Sequence, residues 1–119
     1  MQIAIQSRDF SLTDALQDHV HNRLGFTLSR AASRVRRVDV RLSDLNGPRG
    51  GVDKRCLVEV RIDGLAAVVV EDVQSDMYTA IDRAAARAAR TVMRRLALDG
   101  SSRRRLQAAQ HARYWPSEL

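Results

Sequence analysis

The sequence predicts an α+β fold in which a strand, a helix, three strands and a second helix follow one another, both helices covering one face of a four-stranded sheet. Three observations predict it. Val38, Val40 and Leu42 alternate with Arg37, Asp39 and Arg41, and Cys56, Val58, Val60 and Ile62 alternate with Leu57, Glu59 and Arg61, the period of two that marks a half-buried strand. Leu12, Leu16, Val20 and Leu24, and later Tyr78, Ile81, Ala85, Ala89, Val92 and Leu96, recur at the spacing of a helix with one apolar side. Strands with one polar side imply a sheet that is wet on one face, and the apolar stripes imply helices lying on the other.

The elements follow in order. "MQIAIQS" places Ile3 and Ile5 on one side and reads as a short first strand. "FSLTDALQDHVHNRL" changes to helical spacing, with Ser11 or Thr13 available as its cap. Gly25 either ends this helix or only weakens it, leaving "FTLSRAA" open. The strand around Val38–Leu42 stops at "DLNGPRGGVD", which carries two adjacent turn signals. "GPRG" within it matches the GxxG of KH domains, but it joins two strands rather than two helices and is read as a turn. After the strand around Cys56–Ile62, Asp63-Gly64 signals a hairpin, and Ala66–Val73 supplies the returning strand. The second helix then starts with Ser75 as its expected cap. Beyond Asp99-Gly100 the periodicity weakens, so residues 1–98 read as the folded domain and 99–119 as a basic tail that is partly helical or disordered.

The 119 residues fit a single domain with one core. The formal charge of +6, carried almost wholly by arginine with Lys54 the single lysine, favours an anionic partner without choosing among nucleic acid, acidic protein and membrane. Arginine suits bidentate phosphate contacts; a coding bias toward arginine accounts for the composition equally well. Cys56 stands alone, so no intramolecular disulfide forms, and there is no signal-like leader or apolar run of spanning length. The expectation is a cytoplasmic protein.

Catalysis finds little support. His19 and His21 point about 200° apart on a helix and cannot share a metal. No cysteine pair, phosphate-binding glycine motif or G-x-S-x-G elbow is present. The reading is a binding protein and not an enzyme, with no cofactor, no metal and no small-molecule substrate.

The charge is patterned where the second helix is expected. Arg83, Arg87, Arg90 and Arg94 fall within a sector of about 60° on a helical wheel, opposite the apolar side. A purely solvating face would interleave acids at four-residue spacing, because like charges there repel. The stripe contains none, which points to an anionic partner. A basic amphipathic helix also suits a membrane surface, but an apolar side made largely of alanine favours close packing on a sheet. The expected wet face of the sheet carries both signs of charge, at Arg37, Asp39, Arg41, Glu59, Arg61 and Glu71. None of the five aromatics falls in a predicted strand, which argues against base stacking on the sheet of the kind RRM domains use.

"MQIAIQSRDFSLTDAL", "VDVRL", "CLVEVRIDG" and "VVVEDVQSDMYTAIDRA" carry one further signal, most specific in Asp76-Met77-Tyr78-Thr79-Ala80-Ile81-Asp82 just after a strand. In these segments, to about Leu98, the chain resembles the ribosome hibernation promoting factor and ribosome-associated translation inhibitor family, the sigma-54 modulation proteins. The resemblance implies a β-α-β-β-β-α fold akin to double-stranded-RNA-binding domains. It implies binding to the small ribosomal subunit and its 16S rRNA in the decoding region, the channel of mRNA and tRNA, and inhibition of translation under stress or in stationary phase. Mapped onto this chain, the family's basic positions are Arg83, Arg87, Arg90 and Arg94, with Arg95 flanking and with Arg23 and Arg30 as companions from the first helix and just after it. Met77, Tyr78 and Ile81 are then read as fixing the helix to the sheet rather than touching RNA. With only residues 99–119 in place of a second domain, the chain resembles the family's short form. It departs from the family in its glycine-rich Asn46–Asp53 loop and in lacking the usual lysines after Gly25. The alternative is a regulatory module that uses the same fold against an acidic protein.

Overall fold

The computed structural model runs β1 (Gln2–Arg8), α1 (Asp14–Thr27), a single 3-10 turn (Ser29–Ala31), β2 (Val35–Asp44), β3 (Lys54–Ile62), β4 (Val68–Gln74) and α2 (Met77–Tyr114). It describes residues 1–46 and 51–114, with side chains beyond residue 100 described only at Leu106 and Ala108. The Gly47–Gly50 turn and the end of the tail, 115–119, lie outside the described residues. This is the β-α-β-β-β-α order expected from the sequence.

The four strands form one sheet in the order β1-β2-β3-β4. β1 pairs parallel to β2, while β2–β3 and β3–β4 are antiparallel. A parallel pair cannot be joined by a tight turn, so α1 serves as the crossover. β4 also runs in the direction of β1, so the helix that follows each of them returns the same way and α1 and α2 are parallel. The β3–β4 hairpin turns at Gly64, whose φ of 75° is open to glycine.

Register converts the period-two patterns into apolar rows. Ile3, Val38, Val60 and Val68 align across the four strands, as do Ile5, Val40, Val58 and Val70. The next row runs Leu42, Cys56, Asp72, so on β4 the alternation that buries Val68 and Val70 delivers an acid to the same face. Both helices cover this face. Leu16, Val20 and Leu24 from α1 and Ala80, Ile81, Ala84, Ala85, Ala88 and Val92 from α2 join the strand residues in one buried cluster. Each fully buried valine, leucine or isoleucine contributes about 1.5–3 kcal/mol relative to exposure. Ala80, Ala84, Ala85 and Ala88 of α2 are wholly buried, and their small size lets the helix lie close to the sheet.

The helix starts are decided by single side chains. Thr13 caps α1, its hydroxyl accepting from the Leu16 N–H at 3.2 Å. α2 is capped by Asp76, not by Ser75 as its sequence suggested. Asp76 Oδ2 accepts from the Thr79 N–H and the Thr79 hydroxyl, each at 3.0 Å, and a carboxylate also favours the positive end of the helix dipole. Asp76→Ala is expected to cost about 1 kcal/mol, a fall in melting temperature of roughly 4–8 °C, while Ser75→Ala stays near wild type; thermal denaturation of the two variants checks both. At the other end of α1, Gly25 does not stop the helix. A helical glycine costs only about 0.5–1 kcal/mol relative to alanine, and the buried Leu28, whose N–H donates to the Leu24 carbonyl at 2.9 Å, draws the chain onward into the 3-10 turn.

Two acids secure the far end of the β2–β3 pair. Asp53, fully buried, and Asp44 hold Lys54 Nζ at 2.9 and 3.1 Å, and the hydrogen bond that Lys54 donates to Asp53 is the main cause that raises the Lys54 pKa. Asp99 meets Arg34 at 3.6 Å. α2 continues without a break through Asp99 and Gly100 to Tyr114, and Leu98 and Leu106 are exposed on it.

Candidate nucleic-acid interface

The arginine stripe follows from the packing of α2. With its alanine side on the sheet, the opposite side turns outward, and Arg83, Arg87, Arg90 and Arg94 are all exposed. They are not equivalent. Asp72, brought to the helical face by the strand alternation, lies 3.4 Å from Arg83 and 3.9 Å from Arg87. Arg87 also donates to the Glu71 carbonyl at 2.7 Å. Arg90 and Arg94 have no ion pair or hydrogen bond among the described residues. The half of the stripe nearer the N-terminus is therefore held in place by an acid, and the far half is free.

The remaining candidates divide in the same way. Arg95 donates to the carbonyls of Ala66 and Ala67, both at 3.1 Å, and so ties α2 to the chain entering β4. Arg23 on α1 meets Asp82 on α2 at 3.1 Å. Arg30 lies in the 3-10 turn, exposed and without a partner among the described residues. Arg30, Arg90 and Arg94 are thus the candidates whose charge is uncompensated.

Sequence reasoning gave no role here to Asp72, to Asp82 or to the His19 ring, and it turned Tyr78 too far inward. Asp82 joins the two helices, accepting from His19 Nε2 at 2.6 Å on the same oxygen that meets Arg23. Tyr78, expected to help fix α2 to the sheet, is instead 39% exposed, with its ring edge-on to His19 at 4.9 Å between centroids; Met77 and Ile81 are buried as expected. Asp72 could have been found, since it continues the Val68, Val70 alternation. The contacts of His19 and Asp82 left no signal in the sequence, because they depend on how the helices sit side by side. Asp82, Arg83, Ala86, Arg87 and Arg90 line a hollow of about 260 Å³ beside the stripe.

The opposite face of the sheet compensates its charge only in part, since Arg8 and Arg41 are exposed there without an ion pair among the described residues. Arg37 meets Asp39 at 2.9 Å, Arg55 meets Glu71 at 2.8 Å, and Arg61 lies 3.9 Å from both Asp39 and Glu59. Burial, with Asp72 nearby, pushes the Cys56 thiol up to about 12, so it stays protonated and unreactive at neutral pH. Among the described residues no cluster of three His, Cys, Asp or Glu side chains could hold a metal, and no helix is long and apolar enough to cross a membrane.

Residues 3–97 match the family model described as sigma 54 modulation protein / S30EA ribosomal protein. The chain belongs to this family. Among S30EA relatives, it is 27% identical over 84 residues to the chloroplastic ribosome-binding factor PSRP1 of spinach, Spinacia oleracea, an alignment covering 69% of this chain and 28% of that protein. The chain thus spans little more than a quarter of that relative's length. The N-terminal domain of Thermus thermophilus Protein Y superposes with a TM-score of 0.62 at 31% identity, over 78% of this chain and 93% of that one. A ribosomal subunit interface protein from Coxiella burnetii gives a TM-score of 0.68 over 82% of this chain and 99% of its own, and at 14% identity it attests the fold alone. The S30EA match includes Arg23, Arg30 and the whole arginine stripe.

Proposed function

We propose that this S30EA-family protein binds the small ribosomal subunit through the helical face, contacting 16S rRNA in the decoding region and inhibiting translation in the cytoplasm during stress or stationary phase. The observation that carries the proposal is that Arg30, Arg90 and Arg94 stand exposed and uncompensated among the described residues, two of them in line with Arg83 and Arg87 along α2. Three free guanidinium groups on one side, flanked by Arg83 and Arg87 pre-oriented on Asp72, suit a curved array of phosphates better than a small ligand, because each can bind an oxygen pair in its own plane. The ribosome named for PSRP1 supports the choice of partner. Residues 1–98 constitute the binding unit in this reading, and 99–119 form a basic extension of it.

The test is co-sedimentation of the full chain with purified small subunits across a salt series. With about four to five phosphates contacted, the log-log dependence of affinity on salt is expected to have a slope of roughly −4, by analogy with duplex DNA. A flat response, or binding only to an acidic protein and not to subunits, would overturn the proposal.

A further inference from the structure

Phe26 is the most exposed of the large apolar side chains described, at 76%, and its surroundings are specific. His19, Arg23, Phe26 and Arg30 are spaced four, three and four residues apart, the same spacing as Arg83, Arg87, Arg90 and Arg94 on the neighbouring helix. Within α1 this spacing puts His19, Arg23 and Phe26 in a single line. His19 and Arg23 fix where the line points, since both reach Asp82 on α2. Phe26 is one turn further along the side of α1 that borders α2, and Arg30 follows in the 3-10 turn, exposed and without a partner among the described residues. With three quarters of its surface in solvent and the small, exposed Gly25 before it, the aromatic ring is open to approach.

A lone exposed apolar residue is ordinary on a protein surface. An exposed aromatic ring between two guanidinium groups, on the edge of a cationic face, is the arrangement by which proteins hold single-stranded nucleic acid: the base stacks on the ring and the flanking phosphates meet the cations. We infer that Phe26 is a stacking platform for one unpaired nucleobase of single-stranded RNA, with Arg23 and Arg30 holding the phosphates on either side. This rests on the reading of the helical face as an RNA-binding surface and adds a base-dependent contact to it. No element of the sheet takes part, so the contact differs from stacking on strand-borne aromatics.

The charge rules make a decisive test possible, because lysine at this position would strengthen a purely electrostatic surface and weaken a stacking one. The full-length wild type, Phe26→Leu, Phe26→Lys and Phe26→Trp are compared for binding to purified small ribosomal subunits and to inorganic polyphosphate, a polyanion without bases. Phe26→Leu is expected to weaken subunit binding about 5- to 100-fold, the range for one stacked base, and to leave polyphosphate binding unchanged. Phe26→Lys is expected to weaken subunit binding despite its added charge while tightening polyphosphate binding, and Phe26→Trp to bind subunits at least as well as wild type. Tighter subunit binding by Phe26→Lys, wild-type binding by Phe26→Leu, or equal losses on both probes would each overturn the stacking role and leave the phosphate-binding reading standing. Failure of the wild type itself to bind subunits would overturn both.

Discussion

Replacing Arg90 and Arg94 together by glutamate is expected to remove co-sedimentation with small ribosomal subunits, an affinity loss of at least about 100-fold. Each charge-assisted hydrogen bond to phosphate is worth about 1.5–3 kcal/mol, so two lost contacts amount to roughly 3–6 kcal/mol, or two to four decades in affinity. Repulsion between the new carboxylates and phosphate adds to this. The fold is expected to survive, because both side chains are exposed without partners among the described residues and surface changes of this kind usually shift stability by no more than about 0.5 kcal/mol. Arg83 and Arg87 make a less clean experiment: glutamate there would face Asp72, now 3.4 and 3.9 Å from the two arginines, and would disturb the packed edge of the sheet as well as the surface. Unchanged sedimentation of the Arg90→Glu, Arg94→Glu variant, with an unchanged melting temperature, would exclude this surface.

The largest effect on stability is expected at Leu24. It is 1% exposed and, with Leu16 and Val20, one of three buried side chains through which α1 joins the core. Leu24→Ala removes the apolar contact and leaves a cavity beneath a helix that cannot easily settle into it, because Arg23 beside it is tied across to Asp82. The cost is expected near 3 kcal/mol, within the range of about 2–5 kcal/mol for such truncations. That corresponds to a fall in melting temperature of roughly 10–20 °C. A fall of less than about 3 °C in a thermal melt would show that α1 is held mainly by something other than this side chain.

The fold was legible because its signals are local. Val38, Val40 and Leu42, and Cys56, Val58, Val60 and Ile62, declare which face is buried without knowledge of any other segment, and Asp63-Gly64 declares the hairpin between β3 and β4. The cap of α2 was less legible because Ser75 and Asp76 are adjacent and both suit the role; only the backbone direction at the end of β4 selects Asp76. The site was legible in outline and not in its division of labour. A wheel drawn for α2 shows the acids of α2 alone, whereas the acid that engages Arg83 and Arg87 arrives from β4. Tyr78 was read inward because its spacing puts it on the apolar side with Ile81, Ala85 and Val92, yet it falls at the edge of that side, where its ring meets His19.

The pairing of charge on the sheet has a consequence for how fast the protein finds a partner. Arg37, Arg55 and Arg61 lie beside Asp39, Glu59 and Glu71 and their fields largely cancel at a distance, whereas Arg90 and Arg94 have no acid beside them among the described residues. An approaching polyanion is therefore drawn to the far half of the stripe more strongly than to the paired part of the sheet. Rotational search is a main reason that specific association falls below the diffusion limit, and long-range fields of this kind raise encounter rates by about 10- to 1,000-fold at low ionic strength. The ion pairs on the sheet thus bear on how a partner approaches by removing competing pull from their own part of the surface.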